Sequence, residues 1–279
     1  MTTEFAASRV VTETARRGGD QRKALRRIAE EVAIALSYGG STEAVMMASP
    51  SDLEDFAVGF SLSEGIIGSP GEIIGMEVIE VGGGIDIQMR LAEARESELK
   101  GRRRAKAGPV GCGLCGVESI EEALRPVADV SASSLTISPE EITAAVKALS
   151  ASQPLNGLTR ATHAAGFFVP GEGMVTVRED VGRHNALDKL IGHLARNGID
   201  GARGAVVMTS RVSVELVQKT AGLGSPVLLA ISAPTGLAIE MAAKAGMSLV
   251  ALVRDEDYEI FTGEDRVVDH AALHLKTAI

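Results

Sequence analysis

The C-terminal half of the chain constrains the fold most, because its apolar runs alternate between two periods. Met174–Val177, Ala205–Met208, Val227–Ile231 and Leu249–Val253 are short apolar runs of strand length. Between them, Asn185–Arg196, Val212–Ala221 and Leu237–Ala245 carry apolar residues at helical spacing. In the first of these helices Leu187, Leu190, Ile191 and Leu194 share a face, and Asn197-Gly198 stops it. This βαβαβαβ rhythm predicts an α/β fold with a mostly parallel sheet covered by helices. Ser138-Pro139-Glu140-Glu141 is a strong start for a further helix, with Ile142, Ala145, Val146 and Leu149 inward.

The N-terminal half reads differently. Glu31–Leu36 and Val45–Ala48 pair as strands across Tyr38-Gly39-Gly40, and Met76–Val81 and Ile85–Leu91 form a hairpin through Gly82-Gly83-Gly84. Between these pairs, Ser51 and Glu54 have capping-box spacing ahead of Leu53, Phe56, Ala57 and Phe60, and Gly65 ends the run. Residues 129–137 are rich in Ser and Ala and read as a linker. The expected organisation is a smaller α+β domain over 28–130 and an α/β domain over 131–279. Residues 1–27 hold seven Arg or Lys and no apolar core, and read as a mobile tail.

Composition removes several functions. The net charge of −9 opposes general affinity for nucleic acid or acidic membranes, and 3 % aromatic residues give a poor base-stacking surface. No apolar run approaches the roughly 20 residues of a membrane span. Two cysteines in 279 residues are no disulfide framework. The expected compartment is the cytoplasm.

Open α/β sheets bind ligands beyond the carboxyl ends of their strands. Those ends lead here to Arg178-Glu179-Asp180 and Gly182-Arg183-His184-Asn185, to Thr209-Ser210-Arg211, to Ser232-Ala233-Pro234-Thr235, and to Arg254-Asp255. Arginines beside helix N-termini suit an anionic, phosphorylated ligand. Arg178, His184 and Arg211 are the candidate contacts, and Asp180 and His184 a candidate orienting pair. For any single loop, simple exposure is the better explanation of the polarity; the recurrence across four loops favours a crevice.

Cys112 and Cys115 stand in Gly111-Cys112-Gly113-Leu114-Cys115-Gly116, after Arg102-Arg103-Arg104 and Lys106. A structural zinc needs four ligands, and the chain has no second C-x-x-C. A dithiol oxidoreductase uses the same spacing near a βαβ unit. An inert buried pair fits poorly with flanking glycines and charges. An exposed nucleophile fits best: cations lower a thiol pKa, and glycines let a partner approach. Gly111, Gly113 and Gly116 also spell G-x-G-x-x-G, but no apolar strand precedes them.

The cysteine run resembles the cysteine loop of the formate dehydrogenase accessory sulfurtransferases, FdhD. So do Asp180-Val181-Gly182-Arg183-His184-Asn185-Ala186-Leu187-Asp188-Lys189, Ser210–Lys219 and Ser232-Ala233-Pro234-Thr235, over about Glu31 to Arg266. Gly236 stands where the family suggests serine, and a proline expected near Val32 is missing. The resemblance implies a sulfur carrier between a cysteine desulfurase and the molybdenum bis-guanine-dinucleotide (Mo-bisMGD) cofactor of formate dehydrogenase. In that picture the cofactor is bound as substrate, with no permanent cofactor and no metal site. It implies a persulfide on Cys112 with Cys115 as its partner, and cofactor contacts at Phe261, Thr262, Gly263, Glu264, Asp265 and Arg266. It also implies a C-terminal domain similar to the cytidine deaminase fold. A homodimer sharing the cysteine loop is compatible with the sequence. The alternative function is a non-catalytic chaperone of the molybdenum cofactor.

Overall fold

The N-terminus departs first from expectation. In the computed structural model, which describes residues 5–106 and 126–269, Ser8–Arg17 (β1) and Asp20–Ala29 (β2) pair antiparallel along their whole length. Within the stretch read as a tail, residues 8–29 form a two-stranded ribbon. Charge hid a strand pattern of Val10, Val11, Thr12 and Thr14, and Gly18-Gly19 at φ 62° and 96° supplies the turn that two-residue hairpins demand.

The next sheet has the order β4-β3-β6-β5, from Val32–Tyr38 (β3), Ser41–Ala48 (β4), Ile73–Val81 (β5) and Gly84–Leu91 (β6). Both expected glycine turns are present, Gly39-Gly40 and Gly82-Gly83, all four residues at positive φ. Ile34, Leu36, Ile85, Ile87 and Met89 pack one face of this sheet against Phe56, Ala57 and Phe60 of Leu53–Ser63 (α1). The expected capping box is not formed: Asp52 caps α1 from a left-handed conformation, without a side-chain hydrogen bond. Glu93–Lys106 (α2) follows β6; its charge density concealed it in the sequence.

The second unit begins at the anticipated helix start with Pro139–Ala151 (α3), where Ser138 and Glu141 close a capping box. Pro154–Thr159 (α4) leads to His163–Val169 (β7), Gly173–Asp180 (β8) and Arg183–Arg196 (α5). Then come Ala205–Met208 (β9), Val214–Gly222 (α6), Val227–Ala230 (β10), Gly236–Lys244 (α7), Ser248–Arg254 (β11) and Asp257–Thr262 (β12). The sheet order is β12-β11-β10-β9-β7-β8. Alternate residues face opposite layers. Val206, Met208, Leu228 and Ala230 meet α5, α6 and α7, while Ala205, Val207, Val227 and Leu229 meet α3.

The sheet is mixed rather than mostly parallel. Only β9, β10 and β11 run in parallel pairs; β7 pairs antiparallel with β8 and β9, and β12 with β11. Strand β7 was missed because its run of small and aromatic residues, buried from Ala164 to Val169, carries no alternation. No helix among the described residues is long and apolar enough to cross a membrane.

Candidate functional site

Because β7 is antiparallel to both β8 and β9, the carboxyl ends of β8, β9, β10 and β11 emerge at one sheet edge, as the loop pattern suggested. Helices α5, α6 and α7 all start there. Gly182 and Ser213, the N-caps of α5 and α6, offer no side-chain bond to the first-turn amides, whereas Thr235 accepts from Ala238 N at the start of α7. Amides left free at a helix N-terminus favour anions. The α6 and α7 loops are zipped together: Val212 N donates to Ala233 O, and Thr235 N to Val212 O.

His184 sits in the first turn of α5. Its Nε2 is 3.0 Å from Glu215 Oε2 and 3.4 Å from Ser213 Oγ, so it ties the α5 and α6 starts together. The hydrogen bond from His184 holds the Glu215 carboxyl below the ordinary carboxylate range. Burial, and then the Arg183 guanidinium, push His163 below the usual histidine value. Arg211 stands exposed at the same edge. The structure therefore brings His184 and Arg211 to one rim.

Arg178 does different work from that expected. Its Nε and Nη2 donate to Asp55 Oδ2 at 2.9 and 2.8 Å, and Nη1 donates to Thr176 Oγ1 and Val177 O. His193 and Arg196 of α5 complete a cluster around the buried Asp55 of α1. Arg178 is thus tied into the junction between the two units.

Asp180 does not orient His184. It is fully buried, and its Oδ2 lies 2.7 Å from Lys189 Nζ, itself 0 % exposed, and accepts from Ser49 N at 2.9 Å. Oδ1 accepts from Gly182 N and Asn185 Nδ2. Asn185 also donates to Met47 O, and Lys189 donates to Ser49 O and lies 5.9 Å from the Phe56 ring centre. One helical turn on, Asp188 accepts from Ser63 Oγ and from Lys219 Nζ at 2.6 Å. Asp180, Asn185, Asp188 and Lys189 therefore form a polar rivet between the units, next to the strand-end rim. Sequence reasoning missed the roles of Asp188, Lys189 and Lys219. The available signal was polar residues at i, i+3 and i+4, Asn185, Asp188 and Lys189, grouped with Gly192 on a face distinct from the apolar stripe of Leu187, Leu190, Ile191 and Leu194.

The stretch Phe261–Arg266 lies elsewhere. Thr262 pairs with Leu249 at the start of β11, so the stretch sits at the opposite sheet edge from Arg211. Along the seven residues of β11 that separation is roughly 20 Å at ~3.3 Å per residue. Gly263 adopts φ 65°, and a Cβ there would fall 2.4 Å from Ser248 Oγ. Thr262, Gly263, Asp265 and Arg266, with Ser131, Ala243, Gly246 and Met247, line an open pocket of about 370 Å³. Arg266 is 8 % exposed and donates to the carbonyls of Ser133, Leu135, Val130, Ser131 and Gly246. It clasps the incoming strand of chain to α7. Cys112 and Cys115 lie outside the described residues.

The profile of the FdhD/NarQ family matches residues 29–268. The chain belongs to the FdhD/NarQ family. A relative from Agrobacterium fabrum, named sulfur carrier protein FdhD, is 59 % identical over 263 residues, covering 94 % of this chain and 97 % of its own. One of the same name from Brucella abortus is 55 % identical over 262 residues, with coverage of 94 % and 97 %. A crystal structure described as a formate dehydrogenase accessory protein, from Desulfotalea psychrophila, superposes with a TM-score of 0.73 at 25 % identity, covering 94 % of this chain and all of that one. The FdhD/NarQ fold thus spans both units, and the profile starts at the base of the β1–β2 ribbon.

Proposed function

We propose that this chain is a sulfur carrier in the maturation of a formate dehydrogenase, with Cys112 as the carrying thiol. The observation that carries the reading is the 59 % identity, across nearly the whole chain, to a protein named sulfur carrier protein FdhD. The Gly111–Gly116 run gives it a chemistry. The Cys112 thiolate attacks the outer sulfur of a cysteine desulfurase persulfide; a sulfur–sulfur bond forms at Cys112 and the desulfurase thiolate leaves. Cys115 then attacks the inner sulfur, forming a Cys112–Cys115 disulfide and expelling hydrosulfide to the molybdenum of Mo-bisMGD. The cysteine pair supplies the two electrons that reduce the transferred sulfur, and a cellular dithiol resets the disulfide. Four cationic residues shortly before the loop, Arg102 to Arg104 and Lys106, favour the thiolate.

The cofactor is substrate here. The rim formed by His184, Arg211 and the uncapped starts of α5 and α6 suits its phosphates, with Phe261–Arg266 as a second contact. The cytoplasm and a cytidine-deaminase-like C-terminal layering belong to the same reading. Incubation with desulfurase and cysteine, followed by intact-mass measurement, tests it. The wild-type chain should gain one labile sulfur and Cys112→Ala none. A Cys112→Ala variant that still matures formate dehydrogenase would leave only the chaperone function standing.

A further inference from the structure

The β1–β2 ribbon has no place in the buried core of either unit: none of its side chains joins an apolar cluster. It is nevertheless the most basic element of the chain. Seven Arg or Lys stand against Glu13 and Asp20, a net charge of +5, while the remaining residues carry −14. Like charges gathered on one small sheet cost stability, so the fold itself does not explain them.

Strand alternation sorts the ribbon into two faces. Val11, Ala24 and Ile28 are half-buried on the inner one, and β2 packs against α4. The outer face is exposed along its whole length and holds no carboxylate. There Val10 lies opposite Arg27 and Thr12 opposite Leu25, with Lys23 and Arg16 next towards the turn. Val10 and Leu25 are 51 % and 75 % exposed. Arg27 donates to Ser8, while Arg16 and Lys23 have no carboxylate partner among the described residues. An apolar centre with a basic border and no acid of its own fits an acidic protein surface.

Other anionic occupants fit less well. A DNA duplex or an anionic bilayer is large enough to meet the rest of the molecule, whose charge of −14 repels it. The ribbon also has no Trp, Tyr or Phe for stacking on bases or for seating in a membrane interface. A protein donor, by contrast, is what the sulfur step requires. A thiolate takes the outer sulfur of a persulfide only in direct contact with it, so the desulfurase must sit on this chain in every cycle. Charges on such a surface act chiefly on the rate of encounter.

We propose that the outer face of the β1–β2 ribbon is the docking surface for the sulfur donor, a desulfurase that presents carboxylates around an apolar contact. The proposal rests on the reading of Cys112 as the carrying thiol. The test measures initial rates of sulfur gain by the full chain, as intact mass, from desulfurase plus cysteine and separately from inorganic polysulfide. In the second reaction the Cys112 thiolate takes a terminal sulfur and a shorter polysulfide leaves, with no protein to dock. The wild type should load from the desulfurase at a rate that falls with added salt. Arg16→Gln/Lys23→Gln/Arg27→Gln should load about tenfold more slowly at low salt and lose most of that salt dependence. Leu25→Ser should slow loading and leave the salt dependence in place. Both variants should load from polysulfide as the wild type does. Arg90→Gln/Lys147→Gln/Arg203→Gln, at exposed positions outside the ribbon, removes as much charge and should load at the wild-type rate.

A ribbon variant that loads from the desulfurase as fast as the wild type overturns the proposal. So does equal slowing by the control triple, or a wild type that loads from polysulfide alone. It is overturned too if the ribbon substitutions change only the association of copies with one another, retention of a DNA duplex or binding to anionic vesicles. If the wild type takes sulfur from neither donor, the reading of Cys112 fails instead.

Discussion

At the scale of single residues, the buried ions between the units decide stability. Lys189 and Asp180 are both 0 % exposed, and each satisfies the other together with Ser49. Removing one partner strands a buried charge, at a cost of about 3–5 kcal/mol. Lys189→Met should therefore lower the urea midpoint sharply, and Asp180→Asn likewise. The double variant Asp180→Asn/Lys189→Met should recover part of the loss, and strict additivity in that cycle would refute the coupling. Arg266→Lys keeps the charge but cannot reach five carbonyls from one fork. It should cost about 2 kcal/mol or more in denaturant unfolding and loosen Val130–Leu135 in hydrogen exchange. An unchanged exchange pattern there would count against the clasp.

At the scale of elements, the tightest feature is the crossing of α1 and α5. A Cβ on Gly59 would lie 1.7 Å from the Asp188 carbonyl oxygen, and one on Gly192 would lie 1.8 Å from that of Asp55. The intrinsic helix preference for alanine is worth about 1 kcal/mol, so only the close approach explains glycine mid-helix. Gly59→Ala should destabilise by about 3 kcal/mol or more despite its better propensity, as measured by chemical denaturation. Neutrality would mean that the helices separate at little cost. The sequence told a part of this. Apolar periodicity located α1, α5, α6, α7, β9, β10 and β11 to within a residue or two, because each buries one clear face. It missed β7, buried on both faces, and β1, β2 and α2, whose charges masked their pattern. The strand-end rim was legible because loops follow strands in order. The duties of Arg178 and Asp180 were not, because their partners, Asp55 and Ser49, lie more than 120 residues away.

At the scale of the whole molecule, the junction responds to acid. Burial, then the Arg178 guanidinium, push His193 below the usual histidine range, and burial does the same to His163. A folded-state value below the unfolded one means that the unfolded chain binds protons first. The stability from both groups is complete above about pH 6.5 and is lost as pH falls through their lowered values. Glu215, also lowered, adds a further loss below pH 4.5. Thermal midpoints should therefore be flat near neutrality and fall from about pH 6 downward. His193→Gln should flatten the upper part of that decline. An identical profile in the variant would remove His193 from the account.

The backbone-on-backbone crossing has a mechanical corollary. Where Gly59 and Gly192 meet, the crossing has no rotamers to rearrange, so the two helices neither slide nor ratchet past that point. The two units therefore pivot, if at all, about a fixed point rather than gliding over one another.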